Sequence, residues 1–183
     1  MLKIMVGLPT NRFIKTKCAD SVLKMVKHTK YDVEPYVSTR GYNTAENRNH
    51  IATRAITNKC SHLFLIDDDM IYEPDTIDKL IESEKDIVGG LYYTKYEKQE
   101  YVIESDEIKD KTFICKAIGG GLLMIKTEVL MKIPQPHFGY LWYSNGMVKE
   151  SNDWYFCRKA RESGYKIWCN PDIKAKHIGL KEF

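Results

Sequence analysis

The stretch HLFLIDDDM, residues 62–70, constrains the fold of this chain more than any other segment. Residues 63–66 form an apolar run of strand length with no polar face, which is typical of a central strand covered on both sides. Asp67, Asp68 and Asp69 follow directly. Because ligands bind at the carboxyl ends of strands in open α/β sheets, we expect these carboxylates at a functional edge. Their mutual repulsion would be relieved by a divalent cation, which takes oxygen ligands and bridges to phosphate groups.

Strand-like and helix-like segments alternate around this run. Short β-rich segments at 2–8 and 33–37 are followed by helical spacing over 12–28 and 45–58. We expect further helices opening at 73–75, near 127 and over 153–163, and further strands at 86–88, 122–125 and 165–169. Strands at 101–103 and 112–118 indicate a small antiparallel section, and 134–149 a long loop. The pattern predicts a single α/β domain over residues 1–183, with a mostly parallel central sheet flanked by helices.

Composition excludes several functional classes. The chain is 43% hydrophobic and 29% charged, as in ordinary globular proteins. Its net charge is +3 with lysines spread along the chain, so no nucleic-acid partner is expected. No apolar stretch has the length of a membrane span, and we do not expect the first residues to form a signal peptide. Five scattered cysteines without a CxxC pair favour reduced thiols and a cytoplasmic protein. The oligomeric state stays open.

Within the triple aspartate, alternation along an extended chain points Asp67 and Asp69 to the same side and Asp68 elsewhere. Arg48, in the NRNH segment near a helix start, is suited to bidentate contacts with phosphate or a base edge, although a helix arginine is often only a solvated charge. Gly119-Gly120-Gly121 allows close backbone approach to a ligand or forms a simple turn. Asp153, near another helix start, is either a general base or a helix-end acid.

Two late features complete the candidate site. His177, in the tail segment AKHIG, could add an imidazole to a metal site with too few protein ligands. Several aromatic side chains could stack on a sugar or belong to the core, namely Tyr92, Tyr93, Trp142, Tyr143 and Trp154.

In this order the motifs resemble those of the GT-A family of nucleotide-sugar glycosyltransferases, and the match runs over nearly the whole chain. The matching segments are the RN pair (Arg48, Asn49), the DxD motif (Asp67, Asp69), IVGGLYY, GGGLLMI, Asn152-Asp153 and HIG with His177. Many relatives have Glu-Asp where this chain has Asn152-Asp153, so one acid stands in place of two. The small size also resembles compact viral and phage enzymes, for which the host cytoplasm would be the location.

The resemblance implies metal-dependent transfer of a sugar from a nucleotide-diphosphate donor to a hydroxyl of a glycan or another acceptor. Residues 1–100 would form the nucleotide-binding half and 101–183 the donor-sugar and acceptor half. Asp67, Asp69 and His177 would hold Mn²⁺ or Mg²⁺. The donor would contact Pro9, Thr10, Arg48, Asp68, Gly120 and Gly121. Asp153 would be the base if the enzyme inverts the anomeric centre.

Three alternatives remain open from the sequence. A looser resemblance to retaining mannosyltransferases leaves the stereochemistry undecided. A sugar-phosphate nucleotidyltransferase is a second alternative, although GLPTNRF has one glycine and lacks the glycine-rich, basic signature usual after the first strand of such enzymes. A non-catalytic glycan-binding module that keeps Ca²⁺ among the aspartates is the third.

Overall fold

The buried run around residues 63–66 lies inside one large sheet. A computed structural model describes residues 2–11, 13–95 and 99–179. In chain order its elements are β1 (Lys3–Pro9), α1 (Thr16–His28), β2 (Asp32–Ser38), α2 (Thr44–Thr57), β3 (His62–Ile66), β4 (Met70–Tyr72), α3 (Thr76–Glu82), β5 (Ile87–Leu91), β6 (Ile103–Glu104), β7 (Phe113–Cys115), β8 (Ala117–Ile118), β9 (Leu122–Lys126), α4 (Thr127–Lys132), β10 (Leu141–Trp142), β11 (Val148–Glu150), α5 (Asn152–Glu162) and β12 (Ile167–His177).

The main sheet has the strand order β2-β1-β3-β9-β5-β12-β4, and β7 pairs with β12. Strands β2, β1 and β3 are parallel to one another, and β12 is parallel to β5. Strand β9 lies antiparallel between β3 and β5, so β5 runs in the same direction as β3. Most strands therefore share one direction, and the predicted α/β class with a mostly parallel sheet is confirmed.

Strand β3 has a core on each of its faces. Leu63 and Leu65 belong to one hydrophobic cluster, and Phe64 and Ile66 to the other. All four side chains are fully buried. Because side chains alternate along a strand, an apolar run without a polar face is what burial on both sides requires. The interpretation of residues 63–66 as a covered central strand is confirmed.

The structure differs from the predicted elements in several places, most of them in the second half of the chain. The strand expected over 165–169 continues as β12 to His177, with a register shift between Cys169 and Lys174. The strand expected over 112–118 is two short strands, β7 and β8. The loop expected over 134–149 contains the hairpin of β10 and β11. Strand β4, directly after the aspartates, was not predicted, because three residues are too few for a periodic pattern.

The helix predicted over 12–28 begins at Thr16, and Arg12 lies outside the described residues. Across the described ranges, no helix combines the length and apolar character needed to cross a membrane. The parallel strands β1 and β3 end side by side at Pro9 and Ile66. The aspartates follow that end, so the fold places them where α/β sheets bind ligands.

Candidate functional site

A cleft of about 920 Å³ opens at the carboxyl ends of β1 and β3. Of the residues predicted from sequence to form the site, it is lined by Pro9, Thr10, Arg48, Asp67, Asp68, Asp69 and Asp153. Gly120, Gly121 and His177 are not part of this lining. The structure thus brings together residues from opposite ends of the chain in a single cavity of the size that small-molecule ligands occupy.

Each of the three aspartates has a different protein partner. Arg48 Nη2 donates to Asp67 Oδ1 over 2.9 Å, and Asp69 is ion-paired with Lys95. Burial, and after it the neighbouring carboxylates, raise the pKa of Asp68, and an interaction with the Thr10 side chain partly opposes this. Within the protein, a guanidinium and an ammonium therefore offset part of the repulsion seen in the sequence.

The predicted orientation of Asp68 away from the other two aspartates is wrong. All three line the cleft, because the strand ends at Ile66 and residues 67–69 follow it in a turn, where side-chain alternation no longer holds. The buried hydroxyl of Tyr72, on β4, fixes this turn. It accepts from Asp67 N–H over 2.9 Å and donates to Gly121 C=O over 2.8 Å.

Arg48 is a buried charge at the base of the cleft, 2% exposed. Besides Asp67, its Nη1 donates to Asn152 Oδ1 over 2.5 Å and lies 3.8 Å from Asp153 Oδ2. Burial acts to lower the pKa of Arg48, but the two carboxylates outweigh it and the pKa is raised. Its Nε is buried and has no hydrogen-bond partner in the described part of the chain. Arg48 therefore joins β3, α5 and the cleft, and does not behave as a solvated helix charge.

The triple glycine packs directly against the side chains of Arg48, Asp67 and Tyr92. A Cβ on Gly120 would lie 2.5 Å from Arg48 Nη1, and one on Gly121 would lie 2.5 Å from Asp67 Oδ2. A Cβ on Gly119 would lie 1.9 Å from the hydroxyl oxygen of Tyr92. These distances are far below van der Waals contact, so only glycine lets the loop lie against the polar side chains of the site.

Three consecutive residues of helix α2 bind three different segments of the chain. Asn43 caps the helix by accepting from Glu46 N–H over 3.0 Å. Successive helix residues point about 100° apart, so Asn47, Arg48 and Asn49 diverge. Asn47 Oδ1 accepts from Ser38 Oγ and Gly41 N–H, both over 2.9 Å. Asn49 accepts from the N–H groups of residues 137 and 138 and donates to the carbonyl of 138.

Asp153 lies in the first turn of α5, where the helix dipole favours an acid. Its Oδ2 accepts from Gly120 N–H over 3.1 Å, and its Oδ1 accepts from Ser151 Oγ over 2.5 Å. The neighbouring Asn152 donates from Nδ2 to the hydroxyl of Tyr140 over 3.1 Å. The carboxylate is thus held toward the cleft by contacts with the glycine loop and its own helix start.

His177 is adjacent to the aspartate turn through the backbone. It pairs with Met70 across β12 and β4, and the next residue, Ile178, donates to Asp69 C=O over 2.8 Å. Its Nδ1 contacts the carbonyl of Tyr93. Because a carbonyl only accepts, the proton is on Nδ1 and the lone pair is on Nε2. Burial lowers the pKa of His177, so the ring is neutral at pH 7.

The donor chemistry of Asp67, Asp69 and His177 fits a divalent cation. Two carboxylates and a neutral imidazole oriented by a backbone carbonyl are ligands that Mn²⁺ accepts. Nevertheless, over residues 2–11, 13–95 and 99–179, no three His, Cys, Asp or Glu side chains are gathered closely enough to hold a metal ion. Asp67 and Asp69 are instead directed at Arg48 and Lys95.

The predicted aromatic surface is divided between the core and the exterior. Tyr92 is buried and its hydroxyl accepts from Gly121 N–H over 3.2 Å, while Tyr93 stacks on Tyr101. Trp142 and Tyr143 are exposed on the β10–β11 hairpin, and Trp154 lines the cleft.

Sequence reasoning missed several residues of the site. Tyr72, Lys95 and Tyr140 carry no local signal, because their partners are distant in the chain. Asn47 could have been found, since an asparagine inside a helix without a capping role requires a specific partner.

Comparisons with known proteins agree with this architecture. No known family model matches the chain, and no curated protein matches it. The crystal structure of the viral protein A197 from STIV is similar, with a TM-score of 0.68 and 17% identity over 97% of this chain and 86% of that one. The crystal structure of GalNAc-T7 with UDP, GalNAc and Mn²⁺ has a TM-score of 0.59 and 13% identity, covering 97% of this chain and 44% of that one.

At these identities the likeness shows the fold alone. The chain spans less than half the length of the GalNAc-T7 chain, which is a glycosyltransferase. The predicted GT-A-like α/β architecture is confirmed.

Proposed function

We propose that this chain is a metal-dependent glycosyltransferase that moves a sugar from a nucleotide-diphosphate donor to an acceptor hydroxyl. The observation that carries the proposal is the joining of Asp67, at the end of β3, and Asp153, at the start of α5, by one buried arginine inside the cleft. A nucleotide sugar has two parts that need different chemistry, a diphosphate and an anomeric carbon. Asp67 and Asp153 are held at fixed positions by Arg48, so that one acid can serve the diphosphate and the other the anomeric carbon.

The fold supports the same function. The chain has a GT-A-like architecture, and one neighbour of that fold was crystallised with UDP, GalNAc and Mn²⁺. The first hundred residues supply the β1 and β3 ends and Arg48, and the remainder supplies Asp153 and the hairpin. We assign nucleotide binding to the former half, and the donor sugar and acceptor to the latter.

Asp67, Asp69 and the lone pair of His177 Nε2 are the groups that would hold Mn²⁺ or Mg²⁺. The cation, when bound, supplies Lewis-acid stabilisation of the charge on the leaving diphosphate. Pro9 and Thr10 line the end of the cleft beside β2 and are assigned to the base or ribose, with Asp68 beside them.

The remaining residues act on the sugar side. Asp153 faces the cleft and accepts the proton of the acceptor hydroxyl if the reaction inverts the anomeric centre. Arg48 holds Asp67 and Asp153 in place and is largely screened from the donor by its burial. Gly120 and Gly121 act through the two side chains that they pack against, since a Cβ on either would displace them.

A thermal-shift screen tests the proposal. Nucleoside diphosphates and nucleotide sugars are tested with Mn²⁺, with Ca²⁺ and with a chelator, because a ligand that binds only the folded state raises the melting temperature. We expect stabilisation by at least one nucleoside diphosphate that depends on Mn²⁺.

The same screen separates the alternatives. Stabilisation by a nucleoside triphosphate and a sugar phosphate, without any effect of a nucleotide sugar, would indicate a nucleotidyltransferase. Stabilisation by Ca²⁺ and glycans alone would indicate a glycan-binding module. Either result would contradict the proposed function.

A further inference from the structure

Asp69 is a proposed metal ligand, yet its carboxylate already carries a protein cation. Lys95, which follows β5, forms an ion pair with Asp69 Oδ2. The Asp69 side chain is 14% exposed and that of Lys95 is 44% exposed. The pair lies on the wall of the cleft, because both residues line it.

The two cation pairs of the aspartate turn differ in how easily they separate. Arg48 is buried and held by three partners, Asp67, Asn152 and Asp153. Among the described residues Lys95 pairs with Asp69, is partly exposed, and carries its charge on a long flexible side chain. The lysine end of this pair is partly exposed to water, which weakens the attraction, so another cation can replace the lysine.

A divalent cation on Asp69 would have to displace the ammonium. Both cations seek the same oxygen, and two positive charges a few ångströms apart repel each other. The displaced ammonium would stay close by, tethered to its backbone at the cleft wall. A diphosphate bound beside the metal would give this ammonium a new anionic partner in place of Asp69.

We propose that Lys95 is an internal counterion of Asp69 that a divalent cation displaces, and that the released ammonium then pairs with the diphosphate of the donor. Binding of the metal and of the diphosphate is thereby coupled through one side chain. This proposal rests on the proposed function, since it requires that Asp69 bind a metal.

Calorimetric titration of the Lys95→Met variant tests the coupling with two probes, Mn²⁺ alone and inorganic pyrophosphate in the presence of Mn²⁺. We expect Mn²⁺ alone to bind about two- to fivefold more tightly to Lys95→Met than to the natural protein, because its competitor is gone. Pyrophosphate with Mn²⁺ should bind more weakly to the variant by a similar factor, and Lys95→Arg should restore pyrophosphate binding.

Lys116→Met is the matched control. It removes the same charge from another exposed ion pair, with Asp106, which lies outside the cleft lining. It should change neither affinity.

The outcomes separate the two proposals. If the natural protein binds Mn²⁺ and Lys95→Met binds it equally or more weakly, the role of Lys95 is overturned while the metal site stands. If pyrophosphate binding is unchanged in Lys95→Met, the transfer of the ammonium to the diphosphate is overturned. If neither protein binds Mn²⁺, the metal dependence of the proposed function fails, and the role of Lys95 fails with it.

Discussion

Arg48 is the single residue on which the geometry of the site depends most. Its guanidinium is the shared partner of Asp67 and Asp153, and it lies against Gly120 with no room for a Cβ between them. A buried ion cluster is a weak source of stability by itself, but removing one partner leaves the others uncompensated. The arginine therefore fixes the distance between the two acids more than it strengthens the fold.

Replacing Arg48 by Met keeps much of the side-chain volume and removes the charge. We expect Arg48→Met to lower the free energy of unfolding by about 3 kcal/mol, the low end for a broken buried pair, because both carboxylates keep some contact with water. Urea denaturation measures the loss. Adding Asp153→Asn should recover part of it by removing one of the two uncompensated charges, and equal stability of Arg48→Met and the natural protein would contradict this role.

Gly120→Ala tests the packing of the loop against the arginine. The new Cβ would lie 2.6 Å from Arg48 Cζ, so we expect a loss of about 1–3 kcal/mol together with weaker binding of nucleoside diphosphate and Mn²⁺. Gly164→Ala is the control: Gly164 has φ +87° and open space around its Cα, so alanine there strains only the backbone. The control should lose stability and keep ligand binding. The same behaviour in both variants would refute a specific role for Gly120.

At the scale of elements, helix α2 anchors three separate segments of the chain. Its residues 47–49 connect the β2 end, the carboxylate cluster and the segment at 137–138. Their side chains diverge because each helix position turns by about 100°. The motif NRNH therefore has a structural role, whatever its residues contribute to the proposed function.

Asn49→Ala tests this anchoring. The variant leaves the N–H groups of His137 and Phe138 without the Oδ1 that accepts them, so we expect a loss of about 2 kcal/mol in the free energy of unfolding. Thr53→Ala, one turn later on the exposed face of the same helix, should cost far less. Urea denaturation compares the loss in free energy of unfolding for the two variants. Similar losses would mean that the hydrogen bonds of Asn49 to residues 137 and 138 contribute nothing.

Much of the element order could be predicted from the sequence, because burial and period are local properties. The four apolar residues of β3 predicted a strand covered on both faces. Helix α2 was predicted to within one residue at each end. The direction of a strand and its neighbours in the sheet are not local properties. Nothing within residues 122–126 distinguishes an antiparallel strand between β3 and β5 from a parallel one, and β4 was too short to show a period.

The candidate site was predictable to a similar depth. Charged residues and glycines at strand and helix ends identified the members of the candidate site, because such residues lower stability there unless they have a specific role. Their contacts were not predictable. The sequence does not reveal that Arg48 is buried, that Gly120 packs against it, or that Lys95 pairs with Asp69, because each contact joins segments brought together only by folding.

Considering the whole molecule, the buried His137 and the half-buried His62 make stability depend on pH. Burial lowers the pKa of His62 and His137 below the usual 6.5, and the hydrogen bond of His137 to the carbonyl of Leu130 offsets this only in part. Below pH 6.5 these two histidines bind more protons in the unfolded chain than in the folded chain. The contribution of these residues to stability is therefore complete above pH 6.5 and is lost as the pH falls below it.

We expect the free energy of unfolding, measured in urea without metal, to fall between pH 7.5 and pH 5.5. His137→Gln should flatten this slope, and the slope is the quantity to compare because the substitution also changes packing. Thr53→Ala replaces an exposed residue that does not titrate and should leave the slope unchanged. A stability that rises on acidification over this range would contradict the burial of these rings.

The central claim is that the cleft transfers a sugar from a nucleotide donor with the help of a metal held by the aspartates. Its most direct test is the release of nucleoside diphosphate from a panel of nucleotide sugars, measured for the natural protein and for Asp69→Asn. We expect at least one donor to be cleaved with Mn²⁺ and not with a chelator, and Asp69→Asn to lose this activity while remaining folded. Cleavage that persists in Asp69→Asn or in the chelator would contradict the claim, as would no cleavage of any donor by the folded natural protein.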